Sequence, residues 1–253
     1  MIEHAILLSA GQGSRMLPLT AERPKCLIDF SGKSLIAWQI EMLARGGVKR
    51  IDVVTGFMTD MVDAHLAEID DPRVTITTVF NPFYKVADNL ASCWMARGEL
   101  RGDCLLINGD TLFEPAIARR LLDAPAAPIT LTIDRKPRYD DDDMKVITEG
   151  ERLRAVGKKL TDGVNGESIG FSRFQGEGAA LFVAELERTM RTKEGTGLWY
   201  LSAMNRLAGS GADVRVVSIE GLDWGELDFA ADLAPARALA AAWQERDRTA
   251  NVA

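Results

Sequence analysis

The chain has 253 residues and a formal charge of −7, from 37 acidic and 30 basic side chains. That acidic balance argues against a nucleic-acid partner, and no apolar run approaches the ~18 residues of a membrane span. The length suits one large α/β domain. No linker, low-complexity tract or internal repeat divides it, so an appended hexapeptide-repeat domain is not expected.

Met1-Ile2-Glu3-His4 has no basic leader and runs straight into an apolar stretch, which predicts no signal peptide and a cytoplasmic protein. Ala5 to Leu8 reads as a buried strand that empties into Ser9-Ala10-Gly11-Gln12-Gly13-Ser14-Arg15-Met16-Leu17-Pro18-Leu19-Thr20, closed by Pro24-Lys25. Gly11 and Gly13 leave backbone N–H groups able to turn toward an anion. Arg15 adds a fixed fork of donors and Lys25 a mobile point charge, both suited to phosphate oxygens. Pro18 and Pro24 restrict the loop between them. The stretch predicts a triphosphate cradle at the end of the first strand, with Leu8, Ala10, Gly11, Gln12 and Gly13 along the nucleotide. A dinucleotide fingerprint would need a small residue where Met16 stands. A Walker loop would need Gly-Lys-Ser/Thr where Ser14-Arg15-Met16 stands.

Strands and helices then alternate. Ser34 to Arg45 carries a helical apolar stripe ended by Gly46-Gly47; Arg50 to Phe57 is a second strand. Thr59 is positioned to cap a helix through Ile69, and Val74 to Phe80 is a third strand. Asn89 to Leu100 reads as a helix, Cys104 to Ile107 as a buried strand, Glu114 to Asp123 as a helix and Pro128 to Asp134 as a strand. This rhythm predicts a mainly parallel, doubly wound, Rossmann-like sheet with its ligand at the C-terminal strand ends. Met144–Thr148, Leu153–Lys158 and Ser168–Phe174 read as consecutive strands of an antiparallel β-rich insertion over the cleft, where an acceptor would lie. Helices over Gly178–Met190 and Thr196–Ala208, a strand over Asp213–Ile219 and an alanine-rich helix over Phe229–Arg246 complete the chain. The expected division is a nucleotide-binding half over 1–135, an acceptor-binding half over 136–228 and a C-terminal helix over 229–253. Cys26, Cys93 and Cys104 are an odd set without metal-ligand spacing, which predicts reduced thiols; with only His4 and His65 besides, zinc is not expected.

Asn108-Gly109-Asp110 follows the buried strand at once, and a carboxylate there is placed to hold Mg²⁺ against a nucleotide phosphate; a plain turn is the competing reading. Asp228, in Trp224-Gly225-Glu226-Leu227-Asp228-Phe229, could equally be a helix N-cap. Asn89 could read a base edge or an acceptor, or could cap a helix.

The pattern G-x-G-x-R-M-x-P-L-T…P-K over Gly11–Lys25 resembles the signature of sugar-nucleotide-type nucleotidyltransferases. In that family a late aspartate in a W-x-E-x-D context is the second metal ligand, a role the resemblance implies for Asp228, with Glu226 as fallback. Asn81-Pro82-Phe83-Tyr84…Asp88-Asn89-Leu90-Ala91-Ser92 looks like a segment of the phosphocholine and phosphonate cytidylyltransferases, although Asp88 stands where a first Asn is usual. Asp143-Met144-Lys145-Val146 and Glu167-Ser168-Ile169-Gly170-Phe171 also look like motifs of that group. The resemblance implies a Mg²⁺-dependent enzyme that moves CMP from CTP to a small phospho- or phosphono-alcohol or amine. Arg15 and Lys25 would face the leaving pyrophosphate, Asp110 and Asp228 the metal, and Asp143, Lys145, Glu167 and Tyr200 the acceptor. A sugar-1-phosphate uridylyl- or thymidylyltransferase, or an inactive nucleotide-binding regulatory subunit, are the alternatives. A homodimer stays open.

Overall fold

The computed structural model describes residues 2–250; Met1 and residues 251–253, the ends of the expected nucleotide-binding half and closing segment, lie outside them. The first half contains β1 (His4–Leu8), a short hairpin of β2 (Asp29–Phe30) and β3 (Lys33–Ser34), and α1 (Leu35–Arg45). After these come β4 (Arg50–Thr55), α2 (Thr59–Ala67), β5 (Thr75–Phe80), α3 (Asn89–Met95), β6 (Cys104–Asn108), β7 (Thr111–Phe113), α4 (Pro115–Asp123) and β8 (Ile129–Asp134). The second half contains β9 (Lys145–Glu149), β10 (Arg152–Val156), β11 (Gly166–Phe174), α5 (Gly178–Met190), α6 (Leu201–Gly209), β12 (Val214–Ser218), β13 (Trp224–Glu226) and α7 (Leu233–Ala250).

Nine strands form one sheet in the order β5-β4-β1-β6-β11-β8-β12-β10-β9. β5, β4, β1 and β6 are mutually parallel, as are β8 and β12. β11 lies between β6 and β8 and runs against both. The sheet is therefore mixed, and this corrects the expected separate antiparallel lobe. All nine residues of β11 are buried, so the strand needs cover on both faces and takes a central place. Only the β9–β10 hairpin stays at the edge, where β9 curls back to pair with the first residues of β11 as well.

Alternation along the central strands feeds two cores. Ala5 and Leu7 of β1, with Leu105 and Ile107 of β6, pack under α1, α2, α4 and α7. Ile6 and Leu8, with Cys104 and Leu106, pack under α3, α5 and α6. The long last helix is held by a bidentate Arg45–Asp247 pair (2.6 and 2.8 Å) and by Trp243 meeting Trp38 edge-on. Arg173, fully buried in β11, donates to the carbonyls of Leu121, Leu122, Ala124 and Pro125, which closes the end of α4. Among the described residues, no helix is long and apolar enough to cross a membrane.

Several boundaries differ from the sequence reading. Met58, in the left-handed region (φ 49°), precedes α2, and Thr59 is its first residue, bonded to Thr55 through their hydroxyls. α3 stops at Met95 and tightens into one turn over Ala96–Gly98. α6 starts only at Leu201. The last helix starts at Leu233 because Asp232 accepts the N–H groups of Asp228 and Phe229, closing a separate turn first. β7 and β13, each three residues long, pair antiparallel outside the main sheet.

Candidate active site

The loops leaving β1 and β6 enclose a cleft of about 550 Å³ at the C-terminal ends of the parallel strands. Leu8, Ala10, Gly11, Gln12, Gly13, Arg15, Lys25, Asn89, Asp110 and Asp228 all line it, together with Tyr84, Lys85, Asp88 and Trp199.

Local packing shapes the cradle. Gly13 is in the left-handed region (φ 75°), and a Cβ there would stand 3.0 Å from the Lys25 stem, so glycine lets the two arms of the loop close on each other. Gln12 Nε2 donates to the Thr20 carbonyl (3.3 Å), and the buried Thr20 hydroxyl donates to the Gly13 carbonyl (2.8 Å). A Cβ on Gly11 would find no protein atom within 4 Å, which leaves that backbone open to a ligand. Lys25 stands on a single turn anchored by the buried Cys26 and Leu27.

The two small strands β7 and β13 assemble the acidic half. Pairing of β7 with β13 sets Glu226 opposite Thr111, and the Leu227 N–H donates to the Asp110 carbonyl (3.1 Å). Carboxylate oxygens of Asp110, Glu226 and Asp228 thereby come within 4.8 Å of one another. Gln39 of α1, fully buried, donates to the carbonyls of Asn108 and Thr111 (2.8 and 2.9 Å) and pins the turn that carries Asp110. Nothing in the sequence marks Gln39 except an amide inside an apolar helical stripe.

The two halves meet through charge. Lys25 Nζ donates to Asp110 Oδ2 (2.8 Å) and to the Leu227 carbonyl (2.9 Å), and lies 3.6 Å from Asp228 Oδ1. Arg15 Nη2 is 2.7 Å from Asp228 Oδ2, and its guanidinium covers the Phe229 ring at 5.0 Å. Burial alone would lower the Lys25 ammonium, but Asp110, with Asp228 and Glu226 behind it, holds it above its ordinary value. Glu226 shows the reverse balance: burial, reinforced by Asp110 and Asp228, pushes its carboxyl up to about 8. Asp110 Oδ1 is buried and has no hydrogen-bond partner. An orphaned carboxylate oxygen inside a three-carboxylate cluster fits a hard divalent cation such as Mg²⁺.

Asn89 lines the cleft, but its Oδ1 accepts the Tyr200 N–H (2.9 Å), leaving Nδ2 as the group able to meet a ligand. Asp88 holds the N-cap position of its helix, with no side-chain cap bond, and Asn89 is the first helical residue, so the N-cap alternative falls away. None of the predicted acceptor residues lines this cleft directly. Tyr200 is fully buried, its ring edge-on to Phe182, so it belongs to the core and not to a binding surface. Lys145 is buried too, and its ammonium donates to the Lys158 carbonyl (2.9 Å). Asp143 and Glu167 are instead joined through Lys136, a residue the sequence reading did not single out. The three cysteines are buried and unpaired, and burial pushes the thiols of Cys26 and Cys104 up to about 12.

Residues 4–156 match the Nucleotidyl transferase family. The chain is 26% identical to the CTP:phosphoglutamine cytidylyltransferase of Campylobacter jejuni, over 91% of this chain and 97% of that one. It is 30% identical to the CMP-5'-(3-aminopropyl)phosphonate synthase of Streptomyces rubellomurinus over 90% of its length, which spans only 37% of that longer protein. The fold is similar to that of the inositol-1-phosphate CTP transferase from T. maritima, with a TM-score of 0.80, 21% identity and 95% of each chain covered. A family match across well over half the chain accords with a cleft that sets two phosphate-seeking cations against three carboxylates: this chain belongs to the nucleotidyl transferase family.

Proposed function

We propose that this chain is a Mg²⁺-dependent cytidylyltransferase, passing CMP from CTP to a small phosphorylated or phosphonylated alcohol or amine and releasing pyrophosphate. The observation that carries the reading is the junction of Arg15 and Lys25 with Asp110, Glu226 and Asp228 at the mouth of one cleft. The choice of cytidine and of a small acceptor rests on the names of the relatives in Campylobacter and Streptomyces, both of which handle a CTP- or CMP-linked small phospho- or phosphono-compound.

In this reading the open backbone of Gly11–Gly13 follows the triphosphate, and Gln12 and Asn89 face the nucleoside. Asp110 and Asp228 would hold Mg²⁺, with Glu226 beside them. A divalent cation held there would neutralise phosphate charge. An acceptor oxygen forms the new bond to the α-phosphorus as the bond to the bridging oxygen of pyrophosphate breaks. That acceptor oxygen is already anionic at neutral pH, so no general base is needed. Arg15 and Lys25 stabilise the charge that collects on the leaving pyrophosphate, so catalysis is positioning and electrostatics.

The test is pyrophosphate release from CTP, UTP, dTTP, ATP and GTP, each paired with phosphocholine, 2-aminoethylphosphonate, an inositol phosphate and a hexose 1-phosphate. Release confined to CTP with a small phospho- or phosphono-acceptor is expected, and Asp110→Ala should abolish it. Lys25→Ala should lower turnover about 10²–10³-fold with the fold retained. Release with UTP or dTTP and a hexose 1-phosphate would overturn the substrate reading. Nucleotide binding without release from any pair would overturn catalysis.

A further inference from the structure

Past the carboxylate cluster, the same rim carries a charged assembly that phosphoryl transfer leaves unused. Because β11 runs against its neighbours, its first residues reach the rim where β6 and β8 end, and Glu167 pairs in register with Asp134, the last residue of β8. Glu167 is 4% exposed, and its buried Oε2 has no aligned hydrogen-bond donor. What faces it is the ammonium of Lys136, 2.5 Å from Glu167 Oε2 and 2.8 Å from Asp143 Oδ2. That ammonium also lies over the Tyr139 ring, 6.0 Å from its centroid, and the Lys136 N–H is 3.4 Å from the Tyr139 hydroxyl oxygen. Two carboxylates and an aromatic face make a complete seat for an ammonium group.

Its occupant stands on the loop that also carries Tyr139 and Asp143, and its buried wall stands on the sheet. Glu167 is fixed inside the central sheet, whereas Lys136 hangs on a partly exposed loop by a flexible four-carbon stem. Two carboxylates against one ammonium leave the seat net negative. Burial pushes Glu167 up to about 7 even with Lys136 beside it, so the buried carboxylate is under-compensated. The seat also adjoins the phosphate chemistry: Asp142 approaches Arg15 at 4.0 Å. The Trp224 indole, two residues before Glu226, donates to Asp134 (2.9 Å).

We propose that Lys136 occupies the place of the acceptor's ammonium group, and that binding of an amine-bearing acceptor exchanges one ammonium for the other on Glu167, Asp143 and Tyr139. Lys136 is then a specificity-determining residue: it keeps the seat charged and closed until a substrate cation replaces it. This rests on the reading of the chain as a cytidylyltransferase for small phospho- or phosphono-compounds.

The experiment compares calorimetric binding of 2-aminoethylphosphonate and of ethylphosphonate, its amine-free counterpart. The protein is loaded with Mg²⁺ and a non-hydrolysable CTP analogue, as parent, Lys136→Met and Glu167→Gln. Lys136→Met should tighten the aminophosphonate about tenfold, by removing its competitor, and leave ethylphosphonate within about twofold. Glu167→Gln should weaken the aminophosphonate alone. Equal weakening of both ligands by Lys136→Met would overturn the proposal and give Lys136 the phosphonate instead. Unchanged binding of both, or no binding of either to any form, would also overturn it. Pyrophosphate release is measured in parallel with CTP itself. Amine-dependent binding without release would refute the catalytic reading while leaving the exchange standing.

Discussion

Gly109→Ala offers the sharpest test of how the cleft is held together. Gly109 sits between β6 and Asp110, where the chain passes directly over the end of β1. A Cβ added there would intrude on the Leu8 carbonyl oxygen, 2.7 Å from the Ser9 hydroxyl and 2.9 Å from the Leu8 carbonyl carbon. Ordinary carbon–carbon contact is ~3.5–4.0 Å, so the two strand ends must part by roughly 0.6–1 Å. The obstacle is backbone in the middle of a sheet, which has no rotamer to give. Overpacking of this kind costs about 1–3 kcal/mol, readable as a lowered urea midpoint with an unchanged slope. The larger effect falls on chemistry, because the strand ends that separate carry the cradle on one side and Asp110 on the other. A displacement near 1 Å costs on the order of 10²-fold in turnover. Gly11→Ala is the control: its Cβ meets no protein atom within 4 Å, so stability should stay within about 0.5 kcal/mol while nucleotide binding weakens. A Gly109→Ala protein with parental midpoint and turnover would refute the claim that close approach at this glycine sets the Asp110-to-cradle distance.

Arg173→Met should destabilise the fold by about 3–5 kcal/mol in urea titration, since it strips donors from four carbonyls at the end of α4; a loss under about 1 kcal/mol would count against that role. Glu167 bears on pH dependence. Burial raises its carboxyl from 4.5 to about 7 in the folded chain, so its contribution to stability is full below about pH 4.5 and is lost as pH rises through 7. Glu167→Gln removes that slope, and between pH 5 and 8 the variant should gain about 1–3 kcal/mol on the parent; a constant difference would refute the assignment. Removal of divalent ions with EDTA should stop pyrophosphate release, and added Mg²⁺ should restore it; undiminished release in EDTA would remove the metal from the reaction.

The parts legible in the sequence were those written in short-range patterns. β1 and β6 hold uninterrupted apolar runs, and the loop after β1 is a dense local motif, so both strands and that loop followed from the residues alone, though not the strand order. The long-range choices were not written there. The apolar segment after Gly166 reads equally well as an insert or as a central strand, and only the competition for two-sided cover decides it. β7 and β13 are too short to show a period, yet their pairing is what gathers Asp110, Glu226 and Asp228. Tyr200 and Lys145 were misplaced because a motif position does not tell which side of a strand or helix a side chain faces. Lys136 was passed over because a lone lysine in a loop has no local signature; its meaning comes from Glu167, which the fold delivers from a strand 31 residues later in the chain.

The reversal of β11 sets two materials side by side on one rim. The proposed nucleotide side is built from loops that leave strand ends, where a backbone can bend to follow a phosphate chain. The neighbouring seat of Lys136 is built on Glu167, among the opening residues of a strand already locked into the sheet on both edges. One wall can therefore adapt to its ligand, while the other acts as a fixed die. In such an arrangement, exchanging one or two side chains at the start of that strand re-cuts the shape and charge offered to the second substrate. The machinery that handles the nucleotide need not move.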